Sequence, residues 1–378
     1  MGSSSPQQDG AIPLWLDCDP GHDDAFAILL AAHHPSLNLL GISTIHGNAS
    51  LENTTANAGS ILEAIGRPNI PVYPGSRKPF CRPAVHAPDI HGNSGLDGTD
   101  LLPKASQPPV TDKNPILAMR DALLAQPKGT PWVVATGALT NVGLLFSTFP
   151  EVVEHVQGLT IMGGAIGRGF TDAPMSRLPG EESRIGNVTP WAEFNVYCDP
   201  EASQSIFSNP ILASKTTLIS LDLTHQVLAS QTVQSRILTG TTDLSSTPTV
   251  LRRILHALLN FFAATYDTVF GLSTGPPLHD PLAVAVILSN LNPTFAKANS
   301  EKVLTFDDKG GERFAVTVIT DGQHGEDASL TGQLGRTIAK PSSDGRGVAI
   351  PRGVDVERFW DLIVDCIQRA DDCNAARK

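Results

Sequence analysis

Two rhythms of apolar and polar positions run along this chain, and each change of rhythm marks an element. Ile12-Pro-Leu-Trp-Leu-Asp17 is a short apolar run, Pro20-Gly21 is a turn, and Ala25 to Ala32 is apolar in the manner of a buried helix. Leu37 to Ile45 is rich in β-branched residues, and Leu51 to Ile65 returns to helical spacing before Gly66, a usual helix terminator. Ile70 to Tyr73, Pro131 to Ala135, Leu159 to Gly164 and Lys215 to Leu223 read as further strands. Asn114 to Ala125 and Val250 to Val269 read as helices, and Asp280-Pro281 opens another over Leu282 to Leu288, with proline at its first position. Lys302 to Phe306 and Arg313 to Ile319 are expected to pair as late strands. Asp321 to Gly353 has a flexible composition, and Val356 to Ala370 closes as an amphipathic helix.

Strands alternating with helices predict the α/β class: a single domain with an open, mostly parallel, Rossmann-like sheet and helices on both faces. In such sheets ligands bind outside the carboxyl ends of the strands, so polar residues there are the first to examine. With no internal repeat and no clean linker, one domain is expected over residues 11–373, after a flexible segment at 1–10. Residues 77–109 and 165–190 lack periodicity and are rich in Gly and Pro. Structureless stretches this long are uncommon in compact domains unless they are functional or disordered.

Composition narrows the function classes. At 378 residues with 41% apolar and 17% charged side chains, the chain can bury a full core as a soluble globular protein. A net charge of -11 argues against nucleic acid as a partner. The cysteines (18, 81, 198, 366 and 373) are scattered without a C-x-x-C pair, which suits a reducing, cytoplasmic setting. Met1 to Gly10 lacks the basic and apolar regions of a signal peptide, and Pro6 stands where a myristoylation signal wants Ser or Thr. No apolar run approaches the roughly 20 residues of a membrane span.

The turn after the first strand carries the strongest chemistry. Asp17, Asp19, Asp23 and Asp24 fall within eight residues. Carboxylates this dense repel one another unless a cation, a proton or a dipole compensates them. Oxygen-only ligands suit Ca²⁺ or Mg²⁺ better than zinc. Simple helix capping is the bland alternative. An EF-hand loop starting at Asp17 is excluded, because His22 and Ile28 stand where Gly and Glu are required. A phosphate-cradling loop would need a Gly-rich turn with Lys or Arg.

Asp17-Cys-Asp-Pro-Gly-His-Asp-Asp-Ala25 resembles the signature of the inosine-uridine preferring nucleoside hydrolases. That family has an open α/β fold with Ca²⁺ in its site and splits ribonucleosides into ribose and free base. Thr136-Gly-Ala-Leu-Thr-Asn141 is similar to its Thr-Gly-x-Leu-Thr-Asn turn, Ala192-Glu-Phe-Asn195 to its ribose motif, and His91-Gly-Asn-Ser-Gly-Leu-Asp97 to its mobile His-Gly loop. On the bare residues, the first of these is a strand end followed by a helix capped by Thr140 or Asn141. The resemblance runs from about Leu14 to Ala370, broken mainly at the longer loops.

The resemblance implies Ca²⁺ held by Asp19, Asp24, Asp280 and the Thr136 carbonyl, with Asp17 supporting that shell. It implies Asp23 as the general base facing a Ca²⁺-bound water. Asn48, Asn187, Glu193 and Asn195 would hold the ribose, with Met162 beneath it and Phe194 among the substrate contacts. His279 would act as acid on the leaving base and, with His91, line the base pocket. It further implies nucleoside catabolism or salvage, and a homodimer or homotetramer. Family members with a histidine at position 279 resemble the broad or pyrimidine-tolerant type, so cleavage of both inosine and uridine is expected. A haloacid dehalogenase-type phosphohydrolase also begins Asp-x-Asp but wants Thr or Val where Gly21 stands. A noncatalytic Ca²⁺-dependent nucleoside or ribose binding protein would need neither Asp23 nor His279.

Overall fold

In a computed structural model, which describes residues 10–240, 247–325 and 332–377, the core is a six-stranded sheet. Its strands are β1 (Ile12–Cys18), β2 (Leu37–Thr44), β3 (Val72–Pro74), β4 (Trp132–Ala135), β5 (Gly158–Met162) and β6 (Thr216–Ile219). They lie in the order β3-β2-β1-β4-β5-β6, and every neighbouring pair is parallel. The expected open parallel α/β sheet is what forms. Of the segment expected to be flexible at 1–10, all but Gly10 lies outside the described residues.

Strand β1 explains the layering. Leu14 and Leu16 point into one core with Phe26, Ile61, Leu282 and Phe359, while Trp15 points into the other with Val133, Phe146 and Ile206. Successive side chains of a strand face opposite ways, so a strand apolar at every position needs helices on both faces. The sheet order reverses between β1 and β4, and the crevice at such a switch point is where open α/β sheets bind ligands. The acidic turn leaves the end of β1, and Thr136 leaves the end of β4.

Several expected elements come out differently. Strand β6 stops at Ile219 instead of reaching Leu223, and Leu221–Thr224 is a helical turn. There the Asp222 carboxylate accepts the N–H groups of Ile166 and Gly167 at 2.8 Å each, an arrangement a continuing strand would not offer. The two late strands do not pair with each other. β7 (Phe306–Asp307) pairs with β10 (Gly353–Val354), and β8 (Phe314–Val318) with β9 (Thr337–Pro341), both antiparallel. Periodicity identifies a strand but not its partner. Strand β9 thus forms inside a stretch whose composition reads as flexible, with Phe314, Val316 and Val318 of β8 anchoring the pair in the core.

Neither Thr140 nor Asn141 caps the helix Thr140–Thr148, whose N-cap is Leu139. Both side chains are engaged elsewhere: Thr140 Oγ1 donates to Asp199 at 2.6 Å, and Asn141 Nδ2 donates to Asp17 at 2.8 Å.

Candidate active site

Two helices begin at the site, Asp24–His33 and Asp280–Ala285, and they pack against each other. Each opens on an aspartate, where the positive end of the macrodipole favours a negative charge. Asp23, Asp24 and Asp280 each offer a carboxylate oxygen, and those oxygens lie within 4.8 Å of one another. All three residues are buried. Asp24 is fixed by the Thr136 hydroxyl and the Gly21 N–H, each donating at 2.9 Å. The Thr136 carbonyl faces the same region and accepts from Asn195 Nδ2 at 2.9 Å.

Asp19 stands beside this trio rather than within it. Its Oδ2 accepts the Asn48 N–H at 2.7 Å, while its Oδ1 is buried with no protein partner. Glycine is required on both sides: a Cβ on Gly47 would overlap Asp19 Oδ2, and one on Gly137 would come within 2.6 Å of Oδ1. Asp17 lies deeper, taking hydrogen bonds from Ser43 and, at 2.8 Å, from Asn141, with its Oδ2 also unpartnered.

Among the described residues, no lysine or arginine is a hydrogen-bond partner of these five carboxylates. Burial pushes Asp17 up to about 7, and burial together with the Asp24 charge does the same for Asp23. Asp19 and Asp280 rise well above the carboxylate range, again through burial first and neighbouring carboxylates next. Unpaired buried charge at this density is costly. A hard divalent cation removes that cost and inverts the local acidity. The donor set fits one: oxygens only, three of them convergent, and one unpartnered oxygen of a fourth carboxylate at their side.

Above the carboxylates lies a cavity of about 280 Å³. Asp23, Asn48, His91, Thr136, Met162, Asn187, Glu193, Phe194, Asn195, His279 and Asp280 line it, whereas Asp17, Asp19 and Asp24 do not. The Ala-Glu-Phe-Asn stretch is the start of the helix Phe194–Cys198, and the Glu193 carboxylate caps it by accepting the N–H groups of Asn195 and Val196. Glu193 also accepts the Gly164 N–H at 2.9 Å, which fixes it against the end of β5. Asn187 Oδ1 accepts the Phe194 N–H at 2.9 Å, joining the 165–190 stretch to the same wall.

Histidines enter from two sides. His279 is gripped at both ring nitrogens, with Thr224 Oγ1 and the Tyr266 hydroxyl each at 2.7 Å. Its burial pushes its pKa well below the usual value and keeps the ring neutral. His91 ends the short helix Pro88–His91 within the 77–109 stretch, and its ring packs at 5.3 Å on that of His22. His22 Nε2 lies 2.8 Å from the Asp97 carbonyl, which can only accept, so that nitrogen carries the ring proton. The rings of Phe261 and Phe262 stack on His22 from the helix Val250–Phe270.

Phe262, Tyr266 and Phe270 are site residues that motif reading misses, as are Thr224, His86 and Arg184. The aromatic trio recurs every fourth residue on one helix face, a spacing that from sequence reads as a core stripe.

Comparisons with known proteins agree with this geometry. Residues 14–361 match the family described as inosine-uridine preferring nucleoside hydrolase. A uridine nucleosidase of Saccharomyces cerevisiae is 38% identical over 95% of this chain and 97% of its own length. An inosine-uridine preferring nucleoside hydrolase of Leishmania major is 30% identical over 94% of this chain and 98% of its own. Among solved structures, a purine-preferring ribonucleoside hydrolase from Gardnerella vaginalis superposes with a TM-score of 0.74 at 25% identity, covering 95% of this chain and 99% of that one.

Proposed function

The chain belongs to the inosine-uridine preferring nucleoside hydrolase family, and from that membership we propose which of its residues carry the hydrolysis of ribonucleosides to ribose and free base. The reading rests on one observation above all. A single cavity joins two carboxylates of the buried trio, Asp23 and Asp280, to a histidine held by a phenol. Asp24, Asp280, Asp19 and the Thr136 carbonyl would hold Ca²⁺, with Asp17 behind them. Bound there, the ion would supply positive charge toward the ribose hydroxyls and would make a neighbouring water more acidic.

Asp23 takes a proton from the attacking water. Asn48, Asn187, Glu193 and Asn195 orient the ribose, with Met162 and Phe194 against it. As the C1′–N bond breaks, its electron pair goes to the base, the sugar becomes cationic, and the water oxygen joins C1′. The departing base takes up a proton from the His279–Tyr266 pair, whose imidazole and phenol are hydrogen-bonded across 2.7 Å. The pair then regains a proton, while Asp23 gives up the one it took from water. His91 lines the same end. Relatives named for uridine and for inosine with uridine favour activity on both nucleosides.

None of the described helices is long and apolar enough to cross a membrane. Cytoplasmic residence, suggested by cysteines that form no disulfide, and a homodimer or homotetramer complete the proposal.

Release of ribose from inosine, uridine and adenosine tests the whole reading. Binding without release would make the protein a nucleoside receptor, and release of phosphate from phosphomonoesters alone would make it a phosphohydrolase. His279→Ala is expected to slow inosine and uridine by about 10²- to 10⁴-fold, the usual worth of a positioned acid. It should slow p-nitrophenyl riboside far less, because that leaving group departs without a proton. Equal losses on all three substrates would remove His279 from the acid role.

A further inference from the structure

Arg184 is the one lysine or arginine among the described residues lining the cavity. Its position is set from two sides. The Arg177 N–H donates to the Phe270 carbonyl at 2.8 Å, and Ser176 Oγ donates to Glu181 at 2.6 Å. Glu181 in turn accepts from Arg184 Nη2 at 2.7 Å. On the far side, Asn187 is fixed to Phe194. Arg184 is therefore suspended between the Phe270 end of the helix that carries Tyr266 and the wall built by Asn187 and Phe194. It shares the cavity lining with Phe270, Tyr266 and His279, and among the described residues none of its hydrogen bonds goes to an aspartate of the floor.

The guanidinium has donors to spare. Glu181 takes one N–H of Nη2, and the Gly186 carbonyl takes one of Nη1 at 3.2 Å. Nε is buried and has no hydrogen-bond partner among the described residues. A guanidinium offers five N–H groups in a rigid fork and keeps its charge in any protein environment. A carboxylate held through one nitrogen leaves much of that fork unused.

We propose that Arg184 is a specificity-determining residue that recognises carbonyl oxygen on the leaving base, so that the site favours oxo bases such as uracil and hypoxanthine over adenine. This deepens the ribonucleoside reading above and rests on it. When the C1′–N bond breaks, the electron pair it leaves on the base delocalises onto those carbonyl oxygens. An N–H donor aimed at them strengthens as the charge develops, and it therefore lowers the barrier more than it tightens the ground state. Adenine carries no carbonyl and gains nothing from the same donor.

The test compares kcat/KM for uridine, inosine and adenosine in the wild type, Arg184→Met and Glu181→Gln. Losing a hydrogen bond from a charged donor corresponds to about a 10- to 100-fold fall. That fall is expected in Arg184→Met for uridine and inosine, with adenosine nearly unchanged. Where adenosine turns over too slowly to follow, its inhibition constant against uridine serves instead and should not move. Glu181→Gln removes the ion pair but leaves an amide oxygen to accept from Nη2, so the guanidinium stays in place and the wild-type preference should persist. An equal loss on all three substrates in Arg184→Met, or the same loss of preference in Glu181→Gln, would reduce Arg184 to a loop brace and overturn the inference. A wild type that cleaves neither uridine nor inosine would sink the catalytic reading alone. The carbonyl oxygen of bound inosine accepts the same donor, more weakly, so an inosine-to-adenosine ratio of dissociation constants that Arg184→Met leaves unchanged would still overturn the inference, and a ratio shifted against inosine would support it.

Discussion

Asp24→Ala is expected to lose bound cation and turnover together while the fold survives. Asp24 is wholly buried, shares a ligand-distance cluster with Asp23 and Asp280, and receives hydrogen bonds from Thr136 and Gly21. Its carboxylate adds repulsion to both neighbours, since its charge is among the causes that raise Asp23 and Asp280. Stripped of metal, the wild type is strained by that repulsion, so the variant's metal-free form should melt no lower than the wild type's. The metal-loaded forms should part company. An ion at a hundred times its dissociation constant stabilises a folded protein by about 2.7 kcal/mol. Added Ca²⁺ should raise the wild-type melting temperature and leave that of Asp24→Ala in place. Chelation should silence the wild type, and Ca²⁺ should restore it. Full metal content in active Asp24→Ala, or wild-type activity with no Ca²⁺ by metal analysis, would break this assignment.

What the sequence made legible follows from how local each feature is. The acidic turn is contiguous, so its chemistry survives without a structure, and the strand–helix alternation forces a parallel sheet with its site at the strand ends. Asp280 is far from that turn in sequence, yet a helix start written Asp-Pro marks it. Features assembled from distant pieces were opaque. Tyr266 holds His279, but in sequence it is one aromatic on a stripe with Phe262 and Phe270, and such a stripe ordinarily belongs to a core. Thr140 and Asn141 look like caps until Asp199 and Asp17 claim their side chains. The resemblance marks Glu193 as a ribose contact but not as the cap of a short helix, with three backbone N–H groups on its carboxylate. The pairing of β7 with β10 and of β8 with β9 depends on which edge is free, which no single strand's pattern records.

Asp23→Asn should keep the metal and the fold but lose turnover. The two adjacent aspartates divide the work by exposure. Asp24 is closed off from the cavity, whereas Asp23 lines it and retains 4% of its surface. A base must reach the proton it removes, so of this pair only Asp23 is placed for the task. Burial and the Asp24 charge raise it to about 7, a basicity suited to work near neutral pH, and a bound cation would lower it. Asparagine matches aspartate in shape and still offers one oxygen to the cation site it shares with Asp24 and Asp280, but it cannot take a proton. Removing a positioned base costs a factor of about 10² to 10⁴. The loss should fall on kcat, with KM and the affinity for a nonhydrolysable nucleoside close to wild type. Metal content separates the two possible roles of this carboxylate. A variant that keeps Ca²⁺ and loses kcat identifies a base, one that loses both identifies a ligand, and near-native kcat assigns the proton transfer to another residue.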